Sequence, residues 1–164
     1  MTSVGRDLHL AQLLRAKLVA PGSALPTHDT AVEWLRSSSD AAGRLPVRVL
    51  LVEDSLLIRK HLVALLEDSD GVSVSGEVDS EATAIAALDS ATFDAAVVDL
   101  QLREGSGFGV LQHLKRNYPD LLAIVLTNSN TPAMRARSLA LGAHHFLDKS
   151  SEFDRVAELL EALR

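Results

Sequence analysis

Five side chains that can do chemistry stand at the ends of apolar runs of strand length in this sequence. They are the carboxylates of Glu53, Asp54 and Asp99, the hydroxyl of Thr127 and the amine of Lys149. Three carboxylates that share one site repel one another, and a divalent cation relieves that repulsion. An all-oxygen ligand set with octahedral geometry favours Mg²⁺. The residue types therefore predict a magnesium site that contains the three carboxylates.

Because Mg²⁺ binds phosphate, the same residues predict phosphoryl chemistry. Once a cation screens its charge, Asp99 can act as a nucleophile toward a phosphoryl donor, while Lys149 supplies a positive charge for the developing oxygens. The expected product is an aspartyl phosphate. Thr127 is placed to donate a hydrogen bond to the phosphoryl group after it arrives, which makes this residue a candidate sensor.

These side chains can meet only if the chain forms a parallel sheet, and the hydropathy pattern predicts one. Apolar runs of strand length alternate with segments of helical period, which is typical of βαβ units. Ligands of such sheets bind beyond the carboxyl ends of the strands, where the strand order reverses. We therefore expect an α/β fold of (βα)₅ order. The predicted strands are Val47–Val52, Val72–Val78, Phe93–Val98, Leu121–Leu126 and Ala143–Leu147.

The segment Ser37–Pro46 is small and polar and contains a Gly and a Pro, which is typical of a linker. It divides the chain into an N-terminal helical extension, residues 1–46, and a main domain, residues 47–164. In the extension, a stripe of leucines predicts an amphipathic helix over Asp7–Val19, and a second short helix is expected over 29–38. We expect the first of these helices to form a homodimer contact. The alternatives are that it packs on the main domain, that it binds a partner protein, or that the segment is a loosely ordered tail.

Composition and charge exclude several classes of function. The chain has no Cys, which excludes disulfide scaffolds and thiol nucleophiles, and its net charge of −6 disfavours non-specific nucleic-acid binding. No apolar stretch reaches the roughly 18 residues of a membrane span, and Met1–Leu10 lacks the pattern of a signal peptide. We expect a cytoplasmic protein without membrane contact. Because the chain ends at Arg164, soon after its last predicted helix, we also expect no direct DNA binding and a downstream protein target.

Five segments, in this order and spacing, resemble the receiver domain of two-component response regulators. The resemblance covers residues 47–164. It rests on VLLVEDS (49–55), AAVVDLQL (95–102), GSGFGVL (105–111), AIVLTN (123–128) and LGAHHFLDKSSEF (141–153). It implies a doubly wound, flavodoxin-like sheet of strand order 2-1-3-4-5. It also implies Mg²⁺-dependent transfer of phosphate from a sensor histidine kinase or a histidine phosphotransfer protein, with no enzymatic activity beyond self-catalysed aspartyl phosphorylation and dephosphorylation.

The resemblance also implies a role for each residue that matches a motif position. Asp99 is the expected phosphoacceptor, and Thr127 and Phe146 are the expected switch residues. The implied metal ligands are Glu53, Asp54, Asp99 and the backbone carbonyl of Gln101, and the implied phosphoryl contacts are Lys149 and Thr127. Phosphorylation is expected to switch a protein–protein interaction surface formed by the fourth helix, fifth strand and fifth helix.

Two other functions compete with this interpretation. A haloacid-dehalogenase-like phosphatase uses the same nucleophilic Asp but needs an acidic residue two positions later, where this sequence has Gln101. A phosphate-independent pseudo-receiver usually lacks the acceptor, the acidic pair or the Lys. The chain departs from the receiver pattern at Arg103, where a Pro is common four residues after the acceptor, and at Asn128, which follows Thr127.

Overall fold

A computed structural model describes residues 45–164, which form five strands and five helices in strict alternation. Every strand is followed by a helix, as the sequence predicts. The strands are β1 (Val47–Val52), β2 (Val72–Val78), β3 (Ala95–Val98), β4 (Leu122–Thr127) and β5 (His145–Asp148). The helices are α1 (Leu56–Glu67), α2 (Glu81–Ser90), α3 (Gly107–Asn117), α4 (Pro132–Ala140) and α5 (Arg155–Glu161).

The five strands form one parallel sheet of order β2-β1-β3-β4-β5. The predicted α/β fold, its (βα)₅ order and its strand order are therefore confirmed. The order reverses between β1 and β3, because the chain first adds β2 on one side of β1 and then β3 on the other. Residues at the carboxyl ends of β1 and β3 thus lie at the position where ligands of open parallel sheets bind.

Each face of the sheet is covered by helices, so the central strands are apolar on both sides. Leu50 and Val52 of β1 pack into a core with α2, α3 and part of α4. Val49 and Leu51 pack into a second core with α1 and α5. These two layers exclude water from the strands and hold their carboxyl ends in fixed positions.

The helix starts are set by side-chain caps in the loops that follow the strands. Four hydroxyl side chains accept a hydrogen bond from the first turn of their helix, which satisfies a backbone amide that has no partner within the helix. These residues are Ser55 of α1, Ser80 of α2, Ser106 of α3 and Thr131 of α4. The caps fix the residue at which each helix begins beyond the edge of the sheet where the candidate residues lie.

Three strands begin later than predicted. β4 is shifted by one residue, from Leu121 to Leu122, and side chains explain the differences at β3 and β5. Asp94 precedes β3 and accepts hydrogen bonds from the backbone amide and the guanidinium of Arg48. His144 precedes β5, where its Nδ1 atom accepts a hydrogen bond from the amide of Ala123 at 3.0 Å. At Asp94 and at His144, a side chain forms the hydrogen bond at a position where the sequence pattern predicts a residue of the strand.

The expected N-terminal helices, their dimer contact and the boundary of the extension concern residues 1–46, most of which lie outside the described residues. The division at Pro46 stays a prediction. Within residues 45–164, none of the helices has the length and apolar character that crossing a bilayer requires.

Candidate functional site

Three carboxylates meet at the carboxyl ends of β1 and β3. Glu53 and Asp54 follow β1, Asp99 follows β3, and one oxygen of each lies within 4.8 Å of the others. Glu53 is 2% exposed and Asp99 is 7% exposed, whereas Asp54 is half-buried. Buried carboxylates need compensating charge or hydrogen bonds. The proximity that the strand ends predict for these residues is present in the structure.

Lys149 supplies part of that compensation from the end of β5. Its Nζ atom lies 2.5 Å from Oε2 of Glu53 and 2.9 Å from Oδ2 of Asp99. The Lys149 side chain is itself 7% exposed, so the three charged groups are buried together. The site therefore contains an amine that bridges the acids of two different loops.

The electrostatics of this group follow from burial and pairing. Burial raises the pKa of Glu53 above its ordinary value, although hydrogen bonds from Lys149 and from the amide of Ser55 partly oppose that effect. Burial by itself lowers the pKa of Lys149, but the hydrogen bonds to Asp99 and Glu53 outweigh it, and the pKa lies above the ordinary value. Lys149 is therefore positively charged at neutral pH.

Backbone amides hold the second oxygen of both buried carboxylates. The amide of Ser55 donates to Oε1 of Glu53 at 3.0 Å, and the amide of Gln101 donates to Oδ1 of Asp99 at 3.3 Å. Gln101 thus lies beside Asp99, where the family resemblance expects its carbonyl to complete a metal shell. These amides fix the orientation of the carboxylates without adding net charge.

Arg103 makes a contact with Asp54 that the sequence does not predict. The backbone amide and the Nε atom of Arg103 donate to Oδ2 of Asp54 at 3.1 and 3.2 Å, and Nη2 donates to the Asp54 carbonyl at 3.2 Å. One feature of the sequence points to Arg103. It stands at a position where receiver domains commonly have a Pro. Every carboxylate of the cluster is therefore paired with a cationic side chain of the chain itself.

Thr127 closes the site at the end of β4, where it is fully buried. Its carbonyl accepts a hydrogen bond from the amide of Lys149 at 3.1 Å, which ties the ends of β4 and β5 together. Its Oγ1 atom accepts a hydrogen bond from the amide of Ser129 at 3.3 Å. The structure thus brings Thr127 next to Lys149, while its hydroxyl is engaged by the following loop.

Phe146 lies on β5, opposite Val125 of β4, and is buried in the core that contains α2 and α3. The guanidinium of Arg135 on α4 lies over its ring, 4.8 Å from the ring centre. The structure does not bring Phe146 into the acidic cluster. Its connection to the site runs through the β4–β5 pairing.

Asp148 is a further residue at this edge that the sequence did not single out for a role. Its Oδ2 atom accepts a hydrogen bond from Asn130 at 3.1 Å, and its Oδ1 atom accepts one from the amide of Ser150 at 2.7 Å. Hydrogen bonds from Ser150 and Asn130 hold the pKa of Asp148 below its ordinary value. Asp148 therefore connects the loop after Thr127 to the loop that carries Lys149.

The donor set fits a small hard cation. The three carboxylates of the cluster offer oxygen ligands, which are the ligands that Mg²⁺ and Ca²⁺ take in proteins. Oxygen atoms within 4.8 Å of one another can share one ion. The residues present can therefore hold a divalent metal ion between the ends of β1 and β3.

Comparisons with known proteins identify the family to which this chain belongs. Residues 49–161 match the family described as the response regulator receiver domain. The transcriptional regulatory protein QseB of Haemophilus influenzae is 38% identical over 117 residues, which are 71% of this chain and 52% of QseB. The chain therefore belongs to the response regulator receiver family, whose members are signalling domains of two-component systems.

Two further relatives support the same assignment. The DNA-binding transcriptional activator DevR/DosR of Mycobacterium tuberculosis is 33% identical over 103 residues, which are 63% of this chain and 48% of that protein. The receiver domain of the putative response regulator NarL from the same organism superposes with a TM-score of 0.67 at 26% identity, covering 73% of this chain and 98% of that domain. The chain spans about half the length of the curated relatives it matches.

The expectation that direct DNA binding is excluded is wrong. DevR/DosR is a DNA-binding activator, and QseB is a transcriptional regulator. Neither the acidic composition nor the position of the last residue supports that exclusion. Because about half of each relative lies outside the matched region, the charge of the receiver does not report on DNA contacts made elsewhere in such a protein.

Proposed function

We propose that this chain is a phosphoryl-accepting receiver in which Asp99 takes the phosphoryl group from a histidine kinase or a histidine phosphotransfer protein. Mg²⁺ is held by Glu53, Asp54 and Asp99 together with the backbone carbonyl of Gln101. The observation that carries the proposal is the burial of Lys149 between Glu53 and Asp99 at the point where the strand order reverses. An ion pair that only stabilised the fold would need no carboxylate besides Glu53 and Asp99. A metal-dependent phosphoryl site uses the third carboxylate, Asp54, as a further ligand of the ion.

The residues divide the chemistry between them. When bound, Mg²⁺ supplies the charge that lets a phosphoryl dianion approach three acids. Asp99 contributes the attacking carboxylate oxygen, which forms a bond to phosphorus as the bond to the donor nitrogen breaks. Lys149 is charged at neutral pH and donates to the transferred oxygens, so it stabilises charge that develops in the transition state. Backbone amides keep Glu53 and Asp99 oriented throughout.

Thr127 is the proposed sensor of the phosphorylated state. Its hydroxyl accepts a hydrogen bond from the amide of Ser129 and still has its proton to donate to a phosphoryl group. Movement of the hydroxyl toward the phosphoryl group shifts the loop between β4 and α4, in which Asn130 is bonded to Asp148. The packing of Phe146 beneath Arg135 then changes with the loop, and the face formed by α4, β5 and α5 differs between the two states.

Mass spectrometry of the full chain after incubation with acetyl phosphate and Mg²⁺ tests the proposal. The wild type should gain one phosphoryl group, and both Asp99→Asn and addition of EDTA should prevent it. Asp120→Asn, a change at an exposed Asp, is the matched control and should be labelled like the wild type. Labelling of Asp99→Asn, or undiminished labelling in EDTA, would contradict the assignment.

The labelling experiment and a p-nitrophenyl phosphate turnover assay together separate the two competing functions. A pseudo-receiver would take up no phosphate in any variant. A haloacid-dehalogenase-like phosphatase would release inorganic phosphate from p-nitrophenyl phosphate over many turnovers. The proposed receiver releases only the phosphate that it carries, because Gln101 offers no general acid at the position where such phosphatases use one.

A further inference from the structure

Arg103 forms an ion pair with Asp54, a carboxylate of the cluster, although most of the Arg103 side chain is exposed to solvent. Its side chain is 79% exposed, whereas the side chain of its partner Asp54 is 18% exposed. The Nε atom lies 3.2 Å from Oδ2 of Asp54, and Nη2 donates to the carbonyl of the same residue. The guanidinium therefore covers Asp54 from the solvent side of the cluster.

We propose that Arg103 is a positioning residue that competes with the metal ion for Asp54. In this role the guanidinium holds Asp54 in the absence of the ion and must leave Oδ2 before that oxygen can act as a ligand. Arg103 therefore raises the metal concentration at which the site fills. The inference rests on the proposed function, because it assigns a role toward the ion of that same site.

The different exposure of Lys149 and Arg103 explains why the metal ion displaces Arg103 and not Lys149. Lys149 is 7% exposed and is bonded to Glu53 and Asp99 at once, so its release would leave two buried charges without a partner. Arg103 is bonded to one residue and can transfer its guanidinium to water. Ion pairs of this exposure are weak. Its displacement by a divalent cation is therefore easy, and its effect on metal affinity is moderate.

A substitution at Arg103 can remove the guanidinium without removing the backbone contact to Asp54. An effect on metal binding can therefore be distinguished from a general loss of structure. The amide of Arg103 also donates to Oδ2 of Asp54, at 3.1 Å, and any substitution except Pro keeps that amide donor. Replacement of the side chain thus removes the guanidinium while Asp54 stays attached to the loop after β3. The remaining amide is neutral, so it competes with a cation less strongly than a guanidinium does.

Metal titration of the full 164-residue chain tests this role. Mn²⁺ binding is followed by electron paramagnetic resonance and Mg²⁺ binding by calorimetry, in the absence of any phosphoryl donor. Arg103→Met should bind both ions about two- to fivefold more tightly than the wild type, the range expected for loss of one exposed ion pair. The matched control is Arg116→Met, which removes the same charge at an exposed position at the far end of α3 and should leave the affinity unchanged.

Arg103→Lys separates the hydrogen-bonded contact from a long-range effect of charge. A lysine keeps the positive charge but cannot reproduce the planar fork that reaches both Oδ2 and the carbonyl of Asp54. We expect this variant to bind metal more tightly than the wild type and more weakly than Arg103→Met. An affinity of Arg103→Lys equal to that of the wild type would assign the effect to charge alone and overturn the proposal.

The outcomes also separate this inference from the proposed function. If the wild type binds metal and Arg103→Met binds it no more tightly, the competition is refuted and the receiver chemistry stands. If neither protein binds metal, the magnesium site fails and the inference fails with it. Thermal unfolding of each variant, followed by circular dichroism, shows that the compared proteins are folded.

Discussion

The Nζ atom of Lys149 lies 2.9 Å from Oδ2 of Asp99, although the two residues are 50 positions apart in the sequence. The contact joins the ends of β3 and β5, which are separated in the sheet by β4. It is formed because a buried carboxylate is stabilised far better by a bonded amine than by an apolar neighbour. The same contact links the stability of the fold to the proposed chemistry.

Replacement of Lys149 by Met should destabilise the protein. The change leaves Glu53 and Asp99 buried without their shared amine, and loss of one partner of a buried ion pair costs about 3 kcal/mol or more. Urea unfolding at pH 7 measures the difference. Lys60→Met, a change at an exposed position on α1, should stay within about 0.5 kcal/mol of the wild type. Equal stability of the two variants would refute the buried ion pair.

Replacement of Thr127 by Ala should uncouple signalling from phosphorylation. Phosphate incorporation at Asp99 should persist, because the hydroxyl takes no part in the transfer step. Amide hydrogen exchange with and without beryllofluoride should then show a wild-type response at Ser129 and Phe146 that the variant lacks. Thr127→Ser keeps the hydroxyl and should retain the response. An unchanged response in Thr127→Ala would remove Thr127 from the switch.

Gly107 should tolerate no side chain, because a Cβ atom there would collide with the backbone of Asp99 and Leu100. Gly107→Ala should therefore lower stability by roughly 1–3 kcal/mol and slow phosphorylation by acetyl phosphate, since it displaces the acceptor. Gly109→Ala is the matched comparison, because its Cβ atom would meet the carboxyl end of Glu81, a side-chain group that can shift at the cost of its hydrogen bond from the amide of Ser106. Urea unfolding and the labelling rate of both variants decide the matter, and equal effects at the two glycines would contradict the close approach.

The ion pair between Asp94 and Arg48 should make stability depend on pH. A hydrogen bond from Arg48 holds the pKa of Asp94 below its ordinary value, so the folded state favours the charged carboxylate. Such a group stabilises the fold above its unfolded pKa of about 3.9, and the contribution is lost as the pH falls through the lower, folded pKa.

Asp94→Asn should accordingly be less stable than the wild type at pH 7 by about 1 kcal/mol or less, because the pair is partly exposed. The difference should shrink as the solution is acidified below about pH 4, when followed by urea unfolding at several pH values. Asp120→Asn, which lies in no ion pair of the described residues, should show no such trend. A difference that grows with acidification would have the wrong sign for this pair.

The sequence predicts the fold well where a segment is buried on a regular face. The bounds of β1 and β2 agree with the predicted strands, because their apolar patterns are bounded by polar loops. The start of β3 is less predictable, because Phe93 continues the apolar run while Asp94 turns to Arg48. A contact between residues far apart in the chain leaves no periodic signal in either segment.

The candidate site divides in the same way. The strand-end rule brings Glu53, Asp99 and Lys149 together, because each residue directly adjoins a buried strand. It gives no information about Arg103. This residue lies in a loop that has no periodic hydropathy pattern, and its side chain is oriented by its contact with Asp54. The residue types also do not distinguish a switch role for Phe146 from a plain core position, because an apolar ring suits both.

The bridge that Lys149 forms to Glu53 and Asp99 also means that the site is complete only when the whole sheet has formed. Its three charges come from loops after the first, third and fifth strands, so a fragment that lacks any one of these strands and its loop does not contain the whole group. A copy in which the last strand has not yet docked holds its acidic residues without the amine. On the proposed chemistry such an unfinished copy lacks the amine that stabilises the transferred oxygens, so it accepts phosphate more slowly and contributes less to the pool of phosphorylated molecules.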